Sequence, residues 1–119
     1  MAGERILYIC FDPALLLLRE RVLIALGFDV YTILGRDGLI GTREINDYDF
    51  ILVGDEGSLK ERQGSVERIR NEEPSPPPII ALCRGVEDVL GADYRISTAE
   101  PRNWFDAVSE CIRSYRKLA

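Results

Sequence analysis

The stretch RILYICFDPALLLLRERVLIALGFDVYT, residues 5–32, carries the signals of a strand, a helix and a second strand in close succession. Arg5–Cys10 is a short apolar run of the strand type. Asp12 is a favoured helix N-cap residue, and Pro13 suits the first helical position because an N–H would have no partner there. We predict a helix from residue 13 to about residue 26, closed by Gly27. Helical spacing predicts an inward face of four apolar side chains, Leu15, Leu18, Val22 and Ala25.

The rest of the chain repeats this alternation. Further strands are predicted at Asp29–Leu34, 49–54, Ile79–Cys83 and Tyr94–Ser97. Helices are predicted at 37–45, 59–71, 86–90 and 101–118. The last helix has apolar residues at helical spacing, namely Trp104, Phe105, Val108, Ile112 and Tyr115. Strands that alternate with helices predict a doubly wound parallel sheet with helices on both faces. Ligands of such sheets bind at the carboxyl ends of the strands, so functional residues are expected there.

The composition excludes several classes of protein. The 119 residues fit one domain, which we expect to span residues 1–119. The net charge of −5 argues against direct binding of nucleic acid, which needs a basic patch. No apolar run approaches the roughly 18 residues of a membrane span, and the first residues lack the apolar core of a signal peptide. We therefore expect a cytoplasmic protein that does not contact the membrane.

Histidine is absent from the sequence. A Ser-His or Cys-His nucleophile and an HExxH zinc site are therefore impossible, and we predict that the protein is not an enzyme. The three cysteines, Cys10, Cys83 and Cys111, are widely spaced and form no CxxC pair. We expect them to be reduced thiols that act as small apolar residues.

The opening stretch and the later strands resemble response-regulator receiver domains of two-component signalling. Residues 5–32 are similar to the receiver opening, in which a strand and an acidic cluster precede PALL and a helix that ends in G-[FY]-x-V. YDFILVG resembles the third strand of the family, PPPIIALC the fourth and GADYRIS the fifth. The resemblance covers nearly the whole chain. It implies a five-stranded parallel sheet of the flavodoxin or receiver type, with strand order 2-1-3-4-5.

An active receiver has five site groups, and this sequence departs from the family pattern at every one. Two carboxylates after the first strand and the phospho-accepting Asp that ends the third strand hold Mg²⁺. A hydroxyl after the fourth strand and a Lys at the end of the fifth bind the phosphoryl oxygens. Matched by position, these groups fall on Cys10, Phe11, Gly54, Cys83 and Ser97. Because a thiol and a phenyl ring are poor Mg²⁺ ligands and Gly54 has no side chain to phosphorylate, we predict no catalytic residue, no metal and no cofactor.

Two nearby carboxylates leave an alternative open. Asp12 follows the acidic-pair positions, and Asp55 lies one position beyond Gly54. A bulge at the end of the third strand could bring Asp55 into the pocket, although a slip of one residue turns side chains to the opposite face. Asp12 and Asp55 are thus weak candidates for metal binding, and Asp55 for phosphorylation. Otherwise, Asp12 caps the first helix, and Asp55 and Glu56 face solvent.

The segment before the fifth strand also departs from the family. The length between Cys83 and Tyr94 leaves room for only about half of a full fourth helix, so we predict that this helix is shortened. Tyr94 stands at the switch-aromatic position of receivers. Without a phosphosite the usual conformational coupling has little to act through. We therefore interpret Tyr94 as a packing residue.

These features favour a receiver scaffold retained for its surface, or pseudo-receiver. The predicted function is a phosphorylation-independent interaction or regulatory module, whose partner is a kinase, a transcription regulator or a second copy of the chain. One alternative is a small-ligand or redox sensor, with Cys10 and Cys83 at one sheet edge and Arg84 as an anion-binding charge. The two cysteines would be roughly 10 Å apart, too far for a disulfide without rearrangement. Another alternative is an active phosphoreceiver that uses Asp55.

Overall fold

The computed structural model describes residues 3–35, 45–85, 89–99 and 104–118. Its strands are β1 (Arg5–Cys10), β2 (Asp29–Leu34), β3 (Phe50–Val53), β4 (Ile79–Cys83) and β5 (Tyr94–Ser97). Its helices are α1 (Pro13–Ala25), α2 (Leu59–Glu72) and α3 (Trp104–Leu118), and Ile45–Asp47 forms a turn of 3-10 helix. In these ranges no helix has the length and apolar character to cross a membrane. The helices predicted at 37–45 and 86–90 fall largely outside the described residues, as does the predicted shortening of the fourth helix.

The strands form one parallel sheet in the order β2-β1-β3-β4-β5, which confirms the predicted topology. β1 pairs with β2 on one side and β3 on the other, so Tyr8 is level with both Thr32 and Leu52. β4 follows β3, and β5 is the outer strand, with Ser97 level with Cys83. The parallel arrangement brings the carboxyl ends of all these strands to one side of the sheet, which we call the carboxyl edge.

Two separate cores bury the sheet on both of its faces. On one face, Val66 and Ile69 of α2 pack against alternate residues of the strands. On the other, Leu23 of α1 and the pair Val108 and Ile112 of α3 pack against the remaining strand residues. Every residue of β3 and β4 is buried, as expected for unbroken apolar runs in a sheet covered on both sides.

The face of helix α1 that packs against the sheet differs from the face that its sequence predicts. Leu18, predicted to be buried, is 61% exposed, whereas Leu23 is buried. Leu16 packs against the same core as Leu23, and Arg19 lies between them on that face of the helix. The prediction was wrong because apolar residues lie on almost every side of α1, so helical spacing does not single out one face.

Side-chain caps fix the starts of α1 and α2. Asp12 accepts a hydrogen bond from the backbone N–H of Ala14 at 2.9 Å, which confirms the predicted N-cap. Ser58 and Glu61 form a capping box, in which Ser58 Oγ accepts from the backbone N–H of Glu61 at 3.1 Å. Both helices begin near the carboxyl edge, so these caps hold the loops that leave β1 and β3.

Candidate functional site

The five positions matched to receiver site groups lie at the carboxyl edge. Cys10 is buried, and its thiol donates to a backbone carbonyl two residues further on, at 3.2 Å. Phe11 packs against the core under α2, and Cys83 is buried in that core. Ser97 is exposed, and its Oγ accepts a hydrogen bond from a backbone N–H two residues further on, at 3.2 Å. The fifth position is Gly54, which follows β3.

The loop after β3 buries two carboxylates that the sequence analysis expects in solvent. Asp55 is 3% exposed and Glu56 is 2% exposed, so that expectation was wrong. Gly54 provides the reason, because a Cβ atom there would collide with Oε1 of Glu56 and lie 3.0 Å from the carbonyl oxygen of Ile9. The space left by the missing side chain at the acceptor position is occupied by the carboxylate of Glu56.

Both carboxylate oxygens of Asp55 have partners. Arg19 Nη1 donates to Oδ1 at 2.6 Å, and Thr98 Oγ1 donates to Oδ2. Nε of Arg84 lies 3.6 Å from Oδ2. Burial raises the pKa of Asp55, but the hydrogen bonds from Thr98 and Arg19 outweigh burial, so the pKa lies below its usual value. Asp55 is therefore an ionised carboxylate linked to α1 and to the segments that follow β4 and β5.

Glu56 is held by a second set of donors. The hydroxyl of Tyr8 donates to Oε2 at 2.7 Å, and Arg19 Nη1 donates to the same oxygen. The backbone N–H of Phe11 donates to Oε1 at 3.3 Å. Burial, reinforced by the charge of Glu56, raises the pKa of Tyr8, so its phenol remains a proton donor. Glu56 thus joins β1 to the loop after β3.

Arg19 is the partner that the two carboxylates share. Its Nη1 atom contacts both, and its side chain is 14% exposed. Its guanidinium carbon lies 5.0 Å from the ring centroid of Trp104 at the start of α3, within cation–π range. Burial lowers the pKa of Arg19, but the hydrogen bond to Asp55 and the charge of Glu56 counteract burial, and the pKa lies above its usual value. We define the carboxylate network as Tyr8, Arg19, Asp55, Glu56 and Thr98.

Sequence reasoning missed Arg19 as a site residue. The triplet RER, residues 19–21, resembles a solvated group of charges on a surface helix. The available signal was the position of Arg19, which lies three residues after Leu16 and four before Leu23 on the same face of the helix. An arginine between two inward leucines needs an acidic partner in the fold.

A second arginine ties α2 to the same edge. Arg62 is buried, its Nε donates to the carbonyl oxygen of Gly54 at 3.0 Å, and its Nη2 donates to that of Leu82 at 2.6 Å. These carbonyls lie at the carboxyl ends of β3 and β4. From the face of the sheet opposite to α1, Arg62 therefore stabilises the loop that contains Asp55.

The residues at this edge do not fit a divalent cation. Mg²⁺ requires oxygen ligands in near-octahedral geometry, whereas Cys10 and Phe11 occupy the acidic-pair positions. The carboxylates of Asp55 and Glu56 contact a guanidinium, and that of Asp12 caps α1. Among the residues the structure describes, no three His, Cys, Asp or Glu side chains are grouped as metal ligands.

The cysteines proposed as a redox pair lie on opposite faces of the sheet. Cys10 belongs to the core under α1 and α3, and Cys83 to the core under α2. β3 lies between their strands, and neighbouring strands are about 4.8 Å apart. Both thiols are free, and burial raises the pKa of Cys10. A disulfide between them would require the sheet to open, so the geometry gives the redox alternative no support.

Tyr94, at the switch-aromatic position, packs against α3. It is partly buried at the core under α1 and α3, and its ring lies edge-on to Tyr115 at a centroid distance of 6.5 Å. Tyr115 also lies edge-on to Phe50 at 5.3 Å. The packing role of Tyr94 stays a prediction, which these contacts support.

Solved structures resemble this chain, although neither a protein-family model nor a curated protein sequence matches it. A CheY-like receiver domain from Methylobacillus flagellatus is 12% identical, with 94% of this chain and 98% of that chain covered and a TM-score of 0.74. A two-component response regulator from Clostridium difficile is 21% identical, with 98% of each chain covered and a TM-score of 0.73. A chain of the complex between histidine kinase ThkA and response regulator protein TrrA is 20% identical, with 93% of this chain and 97% of that chain covered and a TM-score of 0.72.

These similarities extend over almost the whole of each chain and agree with the observed strand order. They confirm the resemblance drawn from the sequence at the level of the fold. This chain has the fold of CheY-like response regulator receiver domains.

Proposed function

We propose that this chain is a pseudo-receiver, a signalling domain spanning residues 1–119 that binds a protein partner without being phosphorylated. The solved structures it resembles are response regulators and receiver domains, which supports a role in a signalling pathway. The proposal assigns no catalytic step to the domain. Its part in signalling is to present a surface whose shape does not depend on a phosphoryl group.

The observation that carries the proposal is the engagement of Asp55. A carboxylate accepts a phosphoryl group through an oxygen atom that is free to attack phosphorus, with cations to balance the transferred charge. Here Oδ1 of Asp55 faces the guanidinium of Arg19, and Oδ2 faces the hydroxyl of Thr98. Gly54, at the matched acceptor position, has no side chain. Phosphorylation of Asp55 would therefore require the carboxylate network to open first.

The outer surface of α1 is the feature that supports the proposal of a protein partner. This surface exposes Leu17, Leu18 and Ile24 at helical spacing, with the exposed Arg21 among them. An apolar stripe that includes one cation fits a partner helix with apolar side chains and a carboxylate. Response regulator TrrA has been solved in complex with histidine kinase ThkA. The partner class we propose is therefore a histidine kinase.

An NMR titration tests both parts of the proposal. Amide spectra of the labelled chain would be recorded with a purified histidine kinase from the same organism, and separately with Mg²⁺ and beryllofluoride, a mimic of the phosphoryl group. We expect the kinase to shift the amides of Leu17, Leu18 and Ile24, and beryllofluoride to shift none at residues 54–56. Leu18→Glu should abolish kinase binding. The matched control Leu59→Glu, at an exposed leucine of α2, should retain it.

Three results would contradict the proposal in whole or in part. Saturable beryllofluoride shifts at residues 54–56 that disappear in Asp55→Asn would assign the alternative function, an active phosphoreceiver. A kinase that does not bind, or binding that both leucine variants weaken equally, would remove the α1 surface from the proposal.

A further inference from the structure

The carboxylate network places one cation where two buried carboxylates meet. Asp55 and Glu56 are adjacent in sequence and both are buried, so their charges repel each other in a site from which water is largely excluded. Arg19 Nη1 is within hydrogen-bond distance of both. Arg84 approaches Asp55 from an exposed position, with its Nε 3.6 Å from Oδ2. The inner positive charge of this site therefore comes from a residue of α1.

The guanidinium of Arg19 is also fixed on its other sides. The ring of Trp104 lies 5.0 Å from its central carbon, and Tyr8 donates to the same oxygen of Glu56 that Arg19 contacts. The backbone of α1 is anchored in the core by Leu16 and Leu23 on either side of Arg19. A cation held in this way cannot exchange with solvent. It also connects the loop after β3 to the first residue of α3.

We propose that Arg19 is a tethered cation that stands in place of an exchangeable metal ion and makes the conformation of the carboxyl edge independent of divalent cations. The inference rests on the proposed function and deepens it. A surface that keeps its shape without a phosphoryl group needs a carboxyl edge that keeps its conformation without a bound metal ion. Through Trp104 the same contact sets the position at which α3 begins.

The proposal has a direct chemical consequence. Without the guanidinium, Asp55 and Glu56 would face a common space with no inner positive charge. Hard divalent cations prefer carboxylate oxygens as ligands, so Mg²⁺ would be the best available replacement. Removal of Arg19 should therefore create a dependence on Mg²⁺ that the native chain lacks.

Trp104 is the only tryptophan in the sequence. Its fluorescence therefore comes from a residue beside Arg19 and reports on this site. Its emission and the melting temperature would be followed during MgCl₂ titration at constant ionic strength. The proteins compared are the wild type, Arg19→Met and the control Arg21→Met, which removes an exposed arginine of the same helix. We expect no saturable change for the wild type or Arg21→Met. Arg19→Met should gain a saturable shift in emission and a rise in melting temperature, both lost when Asp55→Asn is added.

A saturable Mg²⁺ response of the wild type would overturn the proposal, as would a folded Arg19→Met variant that does not respond to Mg²⁺. If Arg19→Met does not fold, Arg19→Met combined with Asp55→Asn and Glu56→Gln decides the question. A folded triple variant supports a charge-balancing role for Arg19, and an unfolded one overturns it. The titration contains no phosphoryl mimic and no kinase, so its failure is distinct from failure of the proposed function.

Discussion

Helices α1 and α3 pack on the same face of the sheet, yet they distribute polar and apolar residues in opposite ways. α3 buries Val108 and Ile112 and directs Arg113 to solvent. α1 directs Arg19 toward the sheet and exposes Leu18. The comparison shows that α3 turns its apolar residues to the core and contacts the charged site through Trp104. By contrast, α1 gives up part of its apolar contact with the core to hold that site on one side and present an apolar surface on the other.

Removal of one arginine from each helix tests this contrast and has the largest expected effect. Loss of one partner from a buried ion pair costs about 3–5 kcal/mol, so Arg19→Met should lower the free energy of unfolding by about 4 kcal/mol. Arg113→Met, at an exposed position of α3, should change it by less than about 0.5 kcal/mol. Urea denaturation without divalent cations measures both. Equal losses in the two variants would show that the network adds no stability.

Truncation of one apolar residue in each helix should reverse this order, with the larger loss of unfolding free energy in α3. Ile112→Ala removes a buried side chain of α3 and should cost about 3 kcal/mol. Leu18→Ala removes an exposed side chain of α1 and should cost less than about 0.5 kcal/mol. The same urea series gives both values. A large loss in Leu18→Ala would mean that the outer face of α1 contributes to the fold and is not a free surface.

The smallest expected effect is a pH dependence of the free energy of unfolding that is caused by Asp55, the carboxylate that Arg19 of α1 contacts. The folded-state pKa of Asp55 lies below its unfolded value, so its contribution is fully present above the unfolded pKa of about 3.9. It is lost as the pH falls through the folded-state pKa. The stability gap between wild type and Asp55→Asn should therefore narrow below about pH 4. Unfolding free energies measured across this range check it.

Asp106→Asn, on an exposed position of α3, is the matched control for the acid series. At neutral pH this variant should change the free energy of unfolding by less than about 0.5 kcal/mol, because the position is exposed. A gap between wild type and Asp55→Asn that stays constant with pH would show that the carboxylate of Asp55 is not the group that titrates.

The sheet could be predicted because each of its signals is local. The apolar runs of β3 and β4 are long enough to be buried on both faces, and Asp12 with Pro13 marks the start of α1 within a few residues. Strand order followed from resemblance to a known family. The inward face of α1 was predicted wrongly, because its apolar residues lie on nearly every side.

The carboxylate network could not be predicted in the same way. Tyr8, Arg19, Asp55 and Thr98 come from four separate segments and meet only once the sheet has formed. Nothing in the residues around Asp55 indicates burial, since its partners lie far away along the chain. The missing side chain at Gly54 was interpreted as the absence of an acceptor, which stays a prediction, and not as space for the carboxylate of Glu56.

That space at Gly54 restricts how this domain could change over evolutionary time. An aspartate introduced at position 54 would collide with Glu56, and the displaced carboxylate would leave Tyr8 and Arg19 without an acceptor they now share. A Gly54→Asp substitution made alone would therefore disrupt the carboxylate network. A side chain at position 54 could be accommodated only if Glu56 also moved or changed.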